Sequence, residues 1–185
     1  AIIAIVLLAL GQLAWRFVAW VSMGAMAFVM ALSVLGAFGI PSIQPEPSGE
    51  AGARTMRACL ASARLNPGDV DYVNAHGTAT VQNDPAETNS IKLAVGGRAR
   101  EICISSNKSM LGHCLCSAGA IEAVATVRTI ETGVVPPTIS YVEPDPECDL
   151  DVVPNVAREA RVKVALSNSF AFGGNSTVVA FGAAG

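Results

Sequence analysis

Positive charge, histidine and paired cysteine are all scarce in this chain, and each scarcity excludes a class of function. The 185 residues carry 12 Lys and Arg against 15 Asp and Glu, a formal net charge of −3. With no basic patch and no run of Lys or Arg, nucleic acid is a poor partner. The five cysteines, Cys59, Cys103, Cys114, Cys116 and Cys148, form no C-x-x-C pair and are odd in number. They read as reduced cytosolic thiols, not as a disulfide framework. Cys114-Leu115-Cys116 beside His113 invites a metal, but zinc sites show two ligand pairs at wider spacing. No second pair exists here, so no metal is expected. No internal repeat occurs either.

Charge is nearly missing from the first 40 residues, where Arg16 stands alone. Residues 17–40 are an uncharged run of 24, and about 20 suffice to cross a bilayer. Trp15 and Trp20 would sit at an interface, with Arg16 on the cytosolic side. Three readings stay open for residues 1–40: a membrane anchor, a buried core segment, or an out-of-frame or mis-joined translation. The run is longer than an ordinary core helix, which weighs against the second. The expected organisation is an apolar, helical segment 1–40, a Pro- and Ser-rich linker 41–49, and one α/β domain over 50–185.

Within that domain the spacing predicts a helix over 50–64, with Ala53, Met56, Ala58, Leu60 and Ala63 available for its buried side. A strand is expected at 70–74, a helix at 84–93 and a strand at 102–105. A long apolar helix follows over 118–131, capped by Gly133. Residues 136–154 should be extended and turn-rich, and 162–167 and 177–181 should pair as a hairpin. βα units followed by a hairpin imply an α/β layer with a mixed sheet.

The two histidines carry the chemistry. His76 lies in Asn74-Ala75-His76-Gly77-Thr78-Ala79-Thr80, and His113 closes Ser106-Asn107-Lys108-Ser109-Met110-Leu111-Gly112-His113. Each follows a strand-like run, at the strand-to-loop junction where α/β folds place ligands. Two imidazoles from two strand ends can converge on one small polar group. An imidazole with an ordinary value near 6.5 can be neutral at neutral pH. Lys108 adds a nearby cation, which disfavours imidazolium.

His76-Gly77-Thr78, Asp84 with Glu87, Lys108-Ser109 with Gly112-His113, and Asn168-Ser169-Phe170-Ala171-Phe172-Gly173-Gly174 occur in a fixed order. Together they resemble the C-terminal half of the β-ketoacyl-acyl-carrier-protein synthases, over residues 45–181, with no resemblance seen in 1–40. Four ordered motifs are specific where one would be weak. Val135-Pro136-Pro137-Thr138 and the acidic stretch 143–151 are most similar to the rhizobial nodulation protein E branch, which makes unusual acyl chains for lipo-oligosaccharide signals. The resemblance implies the C-terminal lobe of the thiolase-like fold. It also implies that about half of the enzyme is absent, and the start at Ala1 fits a fragment.

The reaction implied by the resemblance is decarboxylative Claisen condensation of an acyl thioester with malonyl-acyl-carrier protein. His76 and His113 would aim ring N–H groups at the malonyl thioester carbonyl while carbon dioxide leaves. Lys108 would join them, paired with Glu122, although a purely structural ion pair is the other reading. Asp84 and Glu87 would order the His76 loop and a bound ion or water. Phe172 would gate the acyl pocket and, with Gly173 and Gly174, form the oxyanion loop; a plain Gly-rich hairpin is the alternative. No cofactor is implied, since the phosphopantetheine thioester is the substrate.

The implied partners are an acyl carrier protein, a second copy of the full-length protein, the missing N-terminal lobe and, through residues 1–40, a membrane. The implied location is the cytosol, with attachment to the inner membrane if those residues are an anchor. The nucleophilic cysteine would lie in the absent lobe, so the chain alone should form no acyl-enzyme. Asn107 replaces a usual Thr or Ser, Ala171 a usual Gly, Asn175-Ser176 a usual Thr-Asn, and Cys116-Ser117 occupies a small-residue position. The competing reading is a membrane-tethered, non-catalytic lobe that binds an intact synthase.

Overall fold

A computed structural model describes residues 46–171 and 174–183. The apolar segment 1–40, the linker up to residue 45, and Phe172 and Gly173 lie outside the described residues. The first element, α1 (Glu50–Ala63), buries Ala53, Met56 and Leu60 and ends where Arg64 turns left-handed at φ 56°. Ala58 and Ala63, expected on the buried side, face solvent. The spacing 53, 56, 60 already gives a full inward stripe, and two further alanines have no surface to meet.

Strand β1 (Tyr72–Asn74) leads to helix α2 (Asn83–Val95), and β2 (Cys103–Ser105) leads to a single helical turn, α3 (Lys108–Leu111). Helix α4 (Ala118–Thr132) stops at Gly133, whose φ of 67° lets its N–H reach the Thr129 carbonyl. A two-residue pair, β3 (Val134–Val135) and β4 (Arg158–Glu159), brackets the extended stretch. The chain closes with the hairpin β5 (Val164–Ala171) and β6 (Asn175–Gly182); β5 starts two residues later than expected, and the pairing runs further toward the turn.

The main sheet has the order β2-β1-β5-β6. β1 runs parallel to both β2 and β5, and β5 runs antiparallel to β6. The expected mixed α/β sheet is therefore present. Alternation along β1 splits the core in two. Val73 joins Met56, Leu60, Ile91 and Leu166 under α1 and α2, while Tyr72 joins Val135, Val153 and Ala165 on the opposite face. Fully burying each such side chain contributes about 1.5–3 kcal/mol, so these two clusters fix the register that sets the strand ends.

Helix α4 departs from expectation. Its sequence is apolar, yet it buries Glu122, Thr126 and Thr129 with Ala118 and exposes Ile121, Val124 and Val127. Thr126 and Thr129 satisfy their hydroxyls on the helix's own carbonyls at 122 and 125. Glu122 takes Lys108. The polar face turns inward because it carries the partners of the site. Among the described residues no helix is long and apolar enough to cross a membrane.

Candidate functional site

Three strand ends meet at one edge of the sheet. β1 delivers His76, β2 delivers the turn that carries Lys108 and leads to His113, and β5 delivers Asn168 and Phe170. The His76 and His113 rings stand 5.5 Å apart between centroids, edge to face, and the Phe170 ring lies 6.0 Å from His76. The backbone joins the two loops directly. Ala75 N–H donates to the Ser105 carbonyl at 2.9 Å, and Ser106 Oγ donates to the Gly77 carbonyl at 2.8 Å. Gly77 sits at φ +41°, and a Cβ there would fall 2.5 Å from the Ser106 Cβ. Glycine is what lets the loops approach this closely.

The His76 loop is held from beneath by Glu87, on the first turns of α2. One carboxylate oxygen accepts His76 N–H at 2.8 Å and Asn168 Nδ2 at 3.0 Å. The other accepts Gly77 N–H at 2.8 Å and Asn83 Nδ2 at 3.3 Å. Burial pushes the Glu87 carboxyl above its ordinary value, and the four donors pull it back. Asp84 stands at the rim of this cluster: its carboxylate accepts the same Asn83 Nδ2, at 3.0 Å. Asn83 was not singled out from the sequence, although the Asn83–Glu87 spacing of four on one helix was an available signal; Asn168 opens the fourth ordered motif, without a role assigned to it.

Lys108 and Glu122 form a buried ion pair, Nζ to Oε1, linking α3 to α4. Lys108, expected in a loop, is the first residue of a helical turn, and its ammonium is buried. Asn74 Nδ2 donates to the Glu122 backbone carbonyl at 3.4 Å, tying β1 to the same helix. The buried His76 ring is pushed down to about 4, by desolvation first, then by the Lys108 charge and then by His113. It is neutral at physiological pH. His113 is exposed, and its Nδ1 accepts the Leu115 N–H at 3.1 Å. In the neutral ring that leaves the proton on Nε2. Leu115 holds φ +50° to make this contact. His76 Nδ1 has no hydrogen-bond partner among the described residues.

Of the acyl-gate residues, Phe172 and Gly173 lie outside the described residues. Gly174 is exposed at φ +76°. Burial pushes the thiols of Cys59, Cys103 and Cys148 up, which makes them poor nucleophiles. Cys116 is exposed, and Cys114 is half-buried. Among the described residues no group of three or more His, Cys, Asp or Glu is placed to hold a metal.

A mixed sheet whose parallel strands end in two facing neutral-capable imidazoles, backed by a buried Lys–Glu pair, defines the C-terminal lobe of a thiolase-like ketosynthase. Residues 29–142 match the model of the family "Beta-ketoacyl synthase, C-terminal domain", and the chain belongs to that family. The match begins inside the apolar segment, so the family likeness reaches further toward the N-terminus than the motifs indicated. Nodulation protein E of Rhizobium sp. (strain N33) is 58% identical over 135 residues, 73% of this chain and 34% of that protein. The 3-oxoacyl-[acyl-carrier-protein] synthase 2 of Synechocystis sp. is 52% identical over 137 residues, 74% of this chain and 33% of that protein.

Among solved structures, a type II PKS acyl-carrier protein in complex with its ketosynthase bound to the hexaketide matches with a TM-score of 0.76. Its identity is 41%, over 79% of this chain and 36% of that one. A β-ketoacyl synthase from Burkholderia phymatum matches with a TM-score of 0.73 and 36% identity, over 80% and 35%. The chain spans about a third of the length of the curated relatives it matches.

Proposed function

We propose that this lobe carries the decarboxylation half of a β-ketoacyl-acyl-carrier-protein synthase, acting in fatty-acid or nodulation-signal acyl-chain synthesis. The observation that carries the reading is the 5.5 Å approach of the His76 and His113 rings at the sheet edge. Their N–H groups converge on the malonyl thioester carbonyl. As the C–C bond to the carboxylate breaks and carbon dioxide departs, the electron pair passes to the enolate oxygen, and both donors stabilise it. Burial first, and then the Lys108 charge, keep His76 neutral. The acyl chain and its nucleophilic cysteine belong to a second lobe, and the exposed apolar stripe Ile121, Val124 and Val127 of α4 is the face that lobe covers. Acyl carrier protein delivers the substrate on its phosphopantetheine, a reading supported by a related ketosynthase found in complex with its acyl-carrier protein. No further cofactor takes part. The assembled protein works as a homodimer in the cytosol.

The test supplies the Cys-bearing N-terminal lobe of a 3-oxoacyl-acyl-carrier-protein synthase 2 in trans and follows loss of carbon dioxide from malonyl-acyl-carrier protein. Decarboxylation should appear, and His113→Ala should lower it about 10²–10³-fold. Equal rates for wild type and His113→Ala would end this reading. Stable association without any turnover would instead favour a non-catalytic lobe that binds an intact synthase.

A further inference from the structure

Pro136-Pro137-Thr138 opens an extended strap, residues 136–155, to which the site described above gives no role. The strap is pinned at several points. Thr138 N–H donates to the Val153 carbonyl at 2.9 Å, and the Thr138 carbonyl accepts Asn155 N–H at 2.9 Å, closing a parallel bridge around Pro154. Val153 and Asn155 hold φ of 48° and 60° on either side of that proline. A fully buried valine in the left-handed region is strained backbone, and it persists only where its surroundings over-determine it. The Asn155 carboxamide adds two bonds, accepting Tyr141 N–H at 2.9 Å and donating to the Tyr141 carbonyl at 2.7 Å. Two prolines fix φ on the approach to Thr138.

What the strap touches is the turn between the two histidine loops. Thr138 Oγ1 accepts Ser106 N–H at 3.1 Å. Ile139 N–H donates to Ser109 Oγ at 3.0 Å, and that hydroxyl donates to the Ser106 carbonyl at 2.8 Å. The N–H and the carbonyl of Ser106 are thus both held from the strap, one directly and one through Ser109. Ser106 is buried, and its own hydroxyl reaches the Gly77 carbonyl in the His76 loop. On its other side Ser106 leads into α3, a helix of four residues. A single turn closes too few hydrogen bonds to offset the cost of starting a helix. The turn that carries Lys108 and leads to His113 therefore depends on contacts from outside it, and Thr138 and Ile139 supply them.

We propose that Thr138 is a positioning residue: its hydroxyl, fixed on the strap, holds the Ser106 peptide and, through the Ser106 hydroxyl, keeps the His76 and His113 loops at their close approach. The clamp is hydrogen bonding alone, with no bond made or broken. Its bearing on catalysis rests on the decarboxylation reading above, whereas the clamp itself does not.

Amide exchange and ring-proton Overhauser contacts, measured by NMR on the full 185-residue chain, test the clamp. In the wild-type chain the Ser106 amide should exchange slowly. The His76 and His113 ring protons should show a mutual contact, as an edge-to-face approach of 5.5 Å requires. Thr138→Val removes the acceptor at the same volume. It should speed Ser106 exchange about tenfold, the equivalent of one hydrogen bond, and remove the ring contact. Thr138→Ser keeps the hydroxyl and should restore both. With the Cys-bearing lobe supplied in trans, Thr138→Val should lower kcat for carbon dioxide loss by up to about 10²-fold with KM unchanged, because orientation and not binding is lost.

A Ser106 amide that exchanges freely in the wild-type chain overturns the clamp, whether or not the variants fold. An unchanged ring contact in Thr138→Val overturns the positioning role, and so does a change confined to KM or a failure of Thr138→Ser to restore the contact. Should Thr138→Val not fold, Ser109→Ala cuts the second strap contact and is judged by the same ring contact. A failure of the His113→Ala decarboxylation test would remove the reaction reading and leave exchange and ring contact to decide the clamp.

Discussion

His76 and His113 follow two neighbouring parallel strands, yet the molecule holds them by opposite means. At His76 the backbone is fixed and the ring is buried. Glu87 grips the His76 and Gly77 N–H groups, while the ring's Nδ1 meets no described partner. At His113 the ring is fixed and exposed. Leu115 N–H takes its Nδ1, and the loop itself rests on the one-turn helix α3. One histidine thus has its charge state set by burial and a cation, and the other has its tautomer set by a hydrogen bond. The two rings are thus brought together without needing the same environment twice.

The largest expected effect comes from cutting the charge that serves His76. Lys108→Met leaves the buried Glu122 carboxylate unpaired and should lower stability by about 3–5 kcal/mol in urea unfolding. It should also raise the His76 midpoint. Lys108→Met combined with Glu122→Leu should recover most of the loss. A double variant as unstable as the single one would show that the pair is not the reason.

Glu87→Gln comes next. One oxygen becomes an amide donor facing backbone N–H groups, so a loss of about 1–3 kcal/mol is expected. The His113 ring resonances should stay where they are, because its restraint is local. Movement of both histidines together would break the contrast between the loops.

The pH dependence sharpens it further. The folded value for His76 lies near 4, below the ordinary 6.5. The unfolded chain therefore takes up the proton first as pH falls. This contribution is complete above about 6.5, declines as pH drops toward 4 and is level below. The raised Glu87 carboxyl acts with the opposite sign, stabilising the folded chain relatively as it protonates. Unfolding midpoints of wild type and His76→Gln, compared between pH 7 and 4, isolate the histidine part. A constant gap between them would count against the depressed value.

The smallest effect is expected at Leu115→Gly. The φ of +50° suits glycine, the N–H to His113 is kept, and lost strain is offset by chain entropy. Stability should stay within about 0.5 kcal/mol of wild type, with the His113 tautomer unchanged by ¹⁵N shift. A tautomer change would show that the leucine side chain, not the backbone, sets the ring.

Much of this was legible in residue order. The periodicity of Ala53, Met56 and Leu60 marks α1, Gly133 marks the end of α4, and apolar runs mark β1 and β2. Side-chain period decides these things locally, so no partner need be known. The two histidines at strand ends and the ordered motifs around them point to the site for the same reason.

Tertiary structure alone decided the rest. The apolar composition of 118–131 gives no hint that Glu122, Thr126 and Thr129 turn inward, because inwardness depends on where Lys108 and Asn74 stand. Asn168 reaches Glu87 across 81 positions, and Lys108 meets Glu122 only when α3 and α4 pack together. Sequence by itself determined which segments become helix or strand and which residues can carry charge or donate a hydrogen bond. It could not determine which of them go unpartnered, since pairing is set by distances that exist only once the sheet has closed.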